Sequence, residues 1–139
     1  MMTDNLQIPT GFSPMKLEKG FNQQFGQMYS KEDEGGLILA FRVGDHHLNP
    51  VGTLHGGAIA TFADFQVIPA SRLAGVDTHS PTITLTTDYL APGKEGDWVE
   101  LHVRLQKRTG TMLFTAGEMW VEGNIIARTT GIYRVMARA

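Results

Sequence analysis

Residues 49–75, NPVGTLHGGAIATFADFQVIPASRLAG, read as a glycine-rich turn feeding a helix around which the rest of the chain is arranged. Set at about 100° per residue, Ala58, Ile59, Phe62, Ala63, Phe65, Val67, Ala70 and Leu73 cover most of the helix circumference, so it must be wrapped by protein. One stripe differs. Gly57, Asp64 and Ser71 recur at i, i+7 and i+14, with Thr61 beside them, so the small and polar groups share a face. Pro69 falls inside the periodic run, which predicts a regular helix before it and a bent last turn that stops at Gly75.

A lone carboxylate on an apolar rod needs an explanation, because desolvating an unpaired charge is costly. Asp64 is either structural, paired with a backbone amide or an arginine across an interface, or it is reactive. Its neighbours favour chemistry. His55-Gly56-Gly57 opens the helix, where the first N–H groups lack intrahelical acceptors, the helix dipole is positive and glycine admits a close approach. That end can hold an oxyanion. Gly57 and Asp64 are roughly 10 Å apart along the axis, whereas an attacking atom must come within about 3 Å of its target carbon. Two copies of the helix running antiparallel across a twofold axis would bring Gly57 of one near Asp64 of the other. The expectation is an obligate homodimer with shared sites.

Downstream of the helix the period changes from 3.6 to 2. Thr82–Leu90 is rich in β-branched residues, Ala91–Gly96 is a turn, and in Trp98–Lys107 Val99, Leu101, Val103 and Leu105 alternate with Glu100, His102, Arg104 and Gln106. Residues 111–122 and 124–136 form a last hairpin about Glu122-Gly123-Asn124. Upstream, Leu37–Val43 alternates as a strand, Lys31–Gly36 is a charged turn, and Pro14–Met28 carries a helical spacing at Phe21, Phe25 and Met28. Residues 1–13 read as a loosely ordered lead-in. The order is one strand, a buried helix, then four strands. This is an α+β domain spanning 1–139, with a lead-in over 1–35 and a core over 36–136, in which an antiparallel sheet of about five strands wraps the helix.

Composition narrows the function. The chain has 42% hydrophobic and 19% charged residues and a net charge of −2, which argues against nucleic acid as the main partner. It has no cysteine, hence no disulfide, thiol nucleophile or cysteine metal site. His46 and His47 are adjacent, point in different directions, and have no clustered Cys, Asp or Glu, so no metal is expected. With neither a signal-peptide run nor a long apolar segment, the expected location is cytoplasmic, without membrane contact.

The pattern His47-x-Asn49-x-x-Gly52-x-x-His55-Gly56-Gly57, with Asp64 seven residues on, resembles the signature of hotdog-fold acyl-CoA thioesterases of the phenylacetate-degradation (PaaI-like) type, in the 4-hydroxybenzoyl-CoA thioesterase superfamily. The likeness continues through Tyr89-Leu90-Ala91-Pro92 and the last hairpin, roughly residues 35–135. It implies that Asp64 activates water or attacks the thioester carbonyl, that the Gly57 N–H polarises that carbonyl, and that Asn49 orders the site or the nucleophilic water. The family's hydroxyl residue early in the next strand, where serine is common, corresponds to Thr82. His55 would be a positioning or capping residue, since it lies about 180° around the helix from Asp64.

Gly56 and Phe65 are expected at the substrate, with Phe21, Phe25 and Phe62 able to line an aromatic slot or an aliphatic tunnel. Coenzyme A carries phosphates, for which Lys107 and Arg108 are the chosen cations, Arg128 and Arg134 being further candidates. Burial would raise the Asp64 pKa, and a nearby Asn or helix dipole would oppose that. No cofactor is required, because a thioester is already activated for acyl transfer. Dimers of this kind are expected to pair into a homotetramer. Gln66 and Pro69 depart from the small or aliphatic residues usual at those positions, which bears on acyl-chain length. A hotdog hydratase or dehydratase and a non-hydrolytic acyl-CoA-binding protein are the alternatives.

Overall fold

The computed structural model describes residues 7–17 and 19–137. Its strands are β1 (Ser13–Pro14), β2 (Tyr29–Asp33), β3 (Gly36–Arg42), β4 (Thr82–Tyr89), β5 (Trp98–Arg108), β6 (Met112–Val121) and β7 (Asn124–Arg134), and its helices are α1 (Phe21–Phe25), α2 (Gly56–Asp64) and α3 (Val67–Ala74). The strands form one sheet in the order β1-β2-β3-β5-β6-β7-β4, every neighbouring pair antiparallel. The α+β architecture holds, with seven strands in place of about five. One addition replaces the charged turn: Tyr29–Asp33 pairs with β3 and only Glu34-Gly35 turns, both at positive φ. The charged run Lys31-Glu32-Asp33 hid it, because charge near a sheet edge is how strands are kept from pairing with strangers.

The other addition lies in the lead-in. Ser13–Pro14 pairs with β2, and residues ahead of it are tied to the sheet: Phe12 meets the Trp98 ring edge-on at 5.2 Å, and Arg42 lies 4.8 Å from the same ring while donating to the Gln7 carbonyl at 2.6 Å. The loosely ordered reading therefore fails over 7–13, and residues 1–6 lie outside the described part. Of the helical signal over Pro14–Met28, only α1 forms, between Gly20 and Gly26, both at positive φ.

The central helix is two helices. Pro69 has no N–H to give the Phe65 carbonyl four residues back, so that carbonyl accepts from Ile68 at 2.9 Å and the regular ladder ends at Asp64. The break falls at Phe65-Gln66, earlier than expected, and Pro69 sits in the first turn of α3, where its missing donor is harmless. Gly75 closes α3 in the left-handed region at φ 69°, and Val76 donates back to the Ser71 carbonyl at 2.9 Å.

Helix and sheet bury each other. Ile59, Phe62, Ala63 and Phe65 pack with Phe25, Met28, Leu39, Phe41, Val43, Val99, Leu101 and Met119. The opposite face of α2 is not wrapped. Gly57 is exposed, and Ala58, Thr61 and Asp64 are half-buried. At the β4 edge Ile83, Tyr89 and Leu90 are likewise exposed.

Candidate active site

The loop ahead of α2 is held by its own side chains. Asn49 Oδ1 accepts from the backbone of Val51 (3.1 Å) and Thr53 (3.0 Å), while Nδ2 donates to Thr53 Oγ1 (2.8 Å). This is the short-range side-chain turn that asparagine favours. His47 supports it from beneath: its Nδ1 accepts from the Gly44 N–H (2.9 Å), so Nε2 carries the hydrogen and donates to the Phe25 carbonyl (2.6 Å). Burial opposes charge on this ring, and its pKa is lowered. The His46 ring lies tilted against it, centroids 3.8 Å apart, and reaches the same carbonyl.

The loop delivers His55 as the N-cap of α2. Its Nδ1 accepts the Gly57 N–H at 2.7 Å. A Cβ on Gly57 would stand 2.9 Å from that nitrogen, so the approach needs glycine. Gly56 lies beside the Tyr89 ring, whose hydroxyl donates to the Gly56 carbonyl at 3.3 Å.

At the other end of α2 Asp64 is neither fully buried nor alone. Thr82 Oγ1 is 2.8 Å from Oδ1 and 3.1 Å from Oδ2, and Tyr133 Oη is 2.9 Å from Oδ1 and 3.2 Å from the Asp64 carbonyl. The sequence reading missed Tyr133. Its signal was present: an inward-facing tyrosine on a strand must find a partner for its hydroxyl, and Gly131, two residues earlier on the same face, leaves room for the ring. Tyr133 is fully buried, and burial first, then the Asp64 charge and hydrogen bond, raise its pKa, so it stays a neutral donor. Beneath the break, Gln66 is fully buried. It donates to the Ala63 carbonyl and Thr129 and accepts from Thr115.

Two cavities flank the open stripe of α2. One of about 820 Å³ is lined by Asp64, Phe65, Val67, Ile68, Thr82 and neighbours on α3 and the 76–81 loop. The other, about 490 Å³, is lined by Gly57, His55, Ala58, Thr61, Phe21 and Phe25. They share no lining residue.

The structure thus brings Asp64, Thr82 and Phe65 together, and Gly57 with His55, but holds the two sets apart within one chain. Asn49 and Gly56 line neither cavity. Lys107 and Arg108 are exposed at the end of β5 and also line neither; Arg108 donates to the Ala74 carbonyl at the end of α3. Arg128 pairs with Asp88 at 2.8 Å. The cation beside the Asp64 cavity is Arg72, ion-paired with Glu32. Among the described residues no group of three or more His, Asp or Glu is placed to hold a metal ion, and no helix is long and apolar enough to cross a membrane.

Such a helix and sheet, with a glycine-headed helix carrying an acid on its open face, is the hotdog arrangement. The Thioesterase superfamily matches residues 51–127, and the chain belongs to that family. Among curated relatives, the Pseudomonas aeruginosa protein PA0474 is 26% identical over 133 residues, 94% of this chain and 98% of that one. Human acyl-coenzyme A thioesterase 13 is 29% identical over 98 residues, 68% of this chain and 69% of the relative. The same fold recurs in zebra fish thioesterase superfamily member 2, at a TM-score of 0.76 and 20% identity over 86% of this chain and 88% of that one.

Proposed function

We propose that the chain hydrolyses an acyl-CoA thioester to the free acid and coenzyme A, in a site built from two copies of the chain. Asp64 acts as general base or nucleophile, and the Gly57 N–H of the other copy stabilises the developing oxyanion. The observation that carries this reading is the separation of Asp64 and Gly57 into two cavities on one uncovered stripe of α2. A helix antiparallel to α2 across a twofold axis would cover that stripe and join each Asp64 cavity to the Gly57 cavity opposite. The exposed apolar residues of the β4 edge supply surface for the same contact. The thioesterase relatives support the reaction class.

Within this reading the thioester oxygen takes the place of His55 Nδ1 at the Gly57 N–H. Asn49 acts through the loop that delivers His55, and Thr82 holds the acid. Phe65 and the residues of α3 bound the acyl group. No metal or cofactor enters.

Complementation tests it. Asp64→Asn removes the acid, and Gly57→Pro removes the N–H in the first helical turn, where proline fits the backbone and its ring pushes aside the exposed His55 imidazole that the N–H no longer holds. Each homodimer is expected to lose about a hundredfold or more in thiol release from acyl-CoA substrates, read with a thiol dye that the cysteine-free chain cannot react with. Mixed chains would regain about one quarter of wild-type activity, because random pairing leaves one intact site in half of the dimers. No regain on mixing overturns the shared site, wild-type turnover by Asp64→Asn overturns the role of Asp64, and no thiol release by the wild type from any acyl-CoA overturns the reaction.

A further inference from the structure

The two oxygens of the Asp64 carboxylate are not treated alike. Oδ1 receives Tyr133 Oη at 2.9 Å and the shorter Thr82 contact at 2.8 Å, whereas Oδ2 has only the longer Thr82 contact, at 3.1 Å. A hydroxyl carries one hydrogen, so a Thr82 bond made to Oδ1 leaves Oδ2 without a protein donor. Tyr133 Oη also lies 3.2 Å from the Asp64 carbonyl, but its single hydrogen is best placed on the nearer acceptor, Oδ1 at 2.9 Å.

This reach depends on residue 131. A Cβ there would lie 2.6 Å from Tyr133 Cε2, 3.0 Å from its Oη and 3.0 Å from Thr115 Oγ1, so only glycine lets the ring lie flat over β7. The clamp is therefore written into β7 twice, as Gly131 and as Tyr133. Three buried side chains continue it below the helix break, Thr115 donating to Gln66 and Gln66 to Thr129.

We propose that Tyr133 is a positioning residue for hydrolysis: it turns Asp64 so that Oδ2 is the reacting oxygen and Oδ1 the anchored one. The inference rests on the thioesterase reading above. Acting as base, Oδ2 takes a proton from water as the water oxygen bonds to the carbonyl carbon; the C–S bond then breaks and the proton passes to the departing thiolate. Acting as nucleophile, Oδ2 bonds to that carbon as the C–S bond breaks and the thiolate leaves; water then cleaves the resulting anhydride, its oxygen bonding to the acyl carbon, the Oδ2–acyl bond breaking to restore the carboxylate, and a proton passing to the thiolate. Tyr133 serves either course by keeping Oδ1 occupied.

The test compares wild type, Tyr133→Phe, Gly131→Ala and Asp64→Asn for kcat, KM and the pH dependence of kcat, with circular dichroism and thermal melting as the check on folding. Tyr133→Phe keeps the ring and removes the hydroxyl. It is expected to lower kcat about tenfold, equivalent to about 1.4 kcal/mol, with KM within about twofold. The acid limb of the profile should move to higher pH, because a carboxylate that loses a donor is protonated more readily. Gly131→Ala, which keeps the hydroxyl and displaces the ring, should move both quantities the same way. If Asp64→Asn is inactive while Tyr133→Phe keeps wild-type kcat and an unmoved acid limb, the inference falls and the thioesterase reading stands. Loss of kcat with an unmoved limb and a lower melting temperature would make the hydroxyl merely structural and also overturns it. Wild-type turnover by Asp64→Asn overturns the role of Asp64 beneath both, and no thiol release by the wild type overturns the thioesterase reading.

Discussion

At the start of α2 the Gly57 N–H is met by a side chain two residues away, whereas at its end Asp64 is met by hydroxyls 18 and 69 residues away. The Gly57–His55 contact is made by local chain geometry alone, although the loop that carries it is tied to the Phe25 carbonyl through His47. The Asp64 end exists only once β4 and β7 are in register beside the helix. An oxyanion donor needs only a free N–H and the helix dipole, which any helix start supplies. An acid that must present one oxygen needs partners fixed from outside its own element.

Substitutions at both ends probe this contrast. The largest effect is expected from Gln66→Leu at the long-range end. It removes the hub of a buried polar layer and leaves Thr115 and Thr129 short of a partner, costing about 1–3 kcal/mol in urea unfolding. Adding Thr115→Val should recover part of the loss, since an apolar group of similar shape needs no partner, whereas Thr129 keeps its bond to the Thr86 carbonyl. Thr82→Val comes next, with kcat about tenfold lower in steady-state assays, close to 1.4 kcal/mol.

At the start of α2 and in the loop before it the effects are smaller and fall on stability. His47 is kept neutral by burial, so its folded pKa lies below the unfolded value of about 6.5. The unfolded chain then binds a proton that the fold does not. This contribution to stability is complete above about pH 6.5 and falls as pH drops toward the folded pKa, by at most about 1.4 kcal/mol per unit. Urea midpoints between pH 7.5 and 5.5 should show that slope, and His47→Gln should flatten it. His55→Ala removes the helix cap and should cost about 1 kcal/mol in the same assay. An equal cost for His55→Ala and Gln66→Leu would erase the distinction between the two ends.

The same contrast sets what could be read in the sequence. His55-Gly56-Gly57 is contiguous, so the helix start was legible, as were β3, the Glu122-Gly123 hairpin and the stop at Gly75. Asp64 was legible as a lone carboxylate on an apolar period, but its surroundings were not. Thr82 came only through family resemblance, and Tyr133 not at all, because pairing across a sheet leaves no trace in local spacing. The helix break was placed late because a proline disturbs the carbonyl four residues before it, not its own position. Lys107 and Arg108 were chosen for charge alone. Arg72, which does border the Asp64 cavity, reads in sequence as a solvated helical arginine.

The break at Phe65-Gln66 has a consequence for how such a protein can change. Asp64 ends one rigid rod, and Val67, Ile68 and Ser71, which wall its cavity, belong to the next. Because the acid is pinned by β4 and β7 rather than by the helix that follows, the cavity-facing residues Val67, Ile68 and Ser71 can change without touching those bonds, while Pro69 and Ala70 stay in the core. Under the proposed function, substrate preference and reactivity would then be separable traits, open to independent selection or to an engineer who randomises those three positions alone.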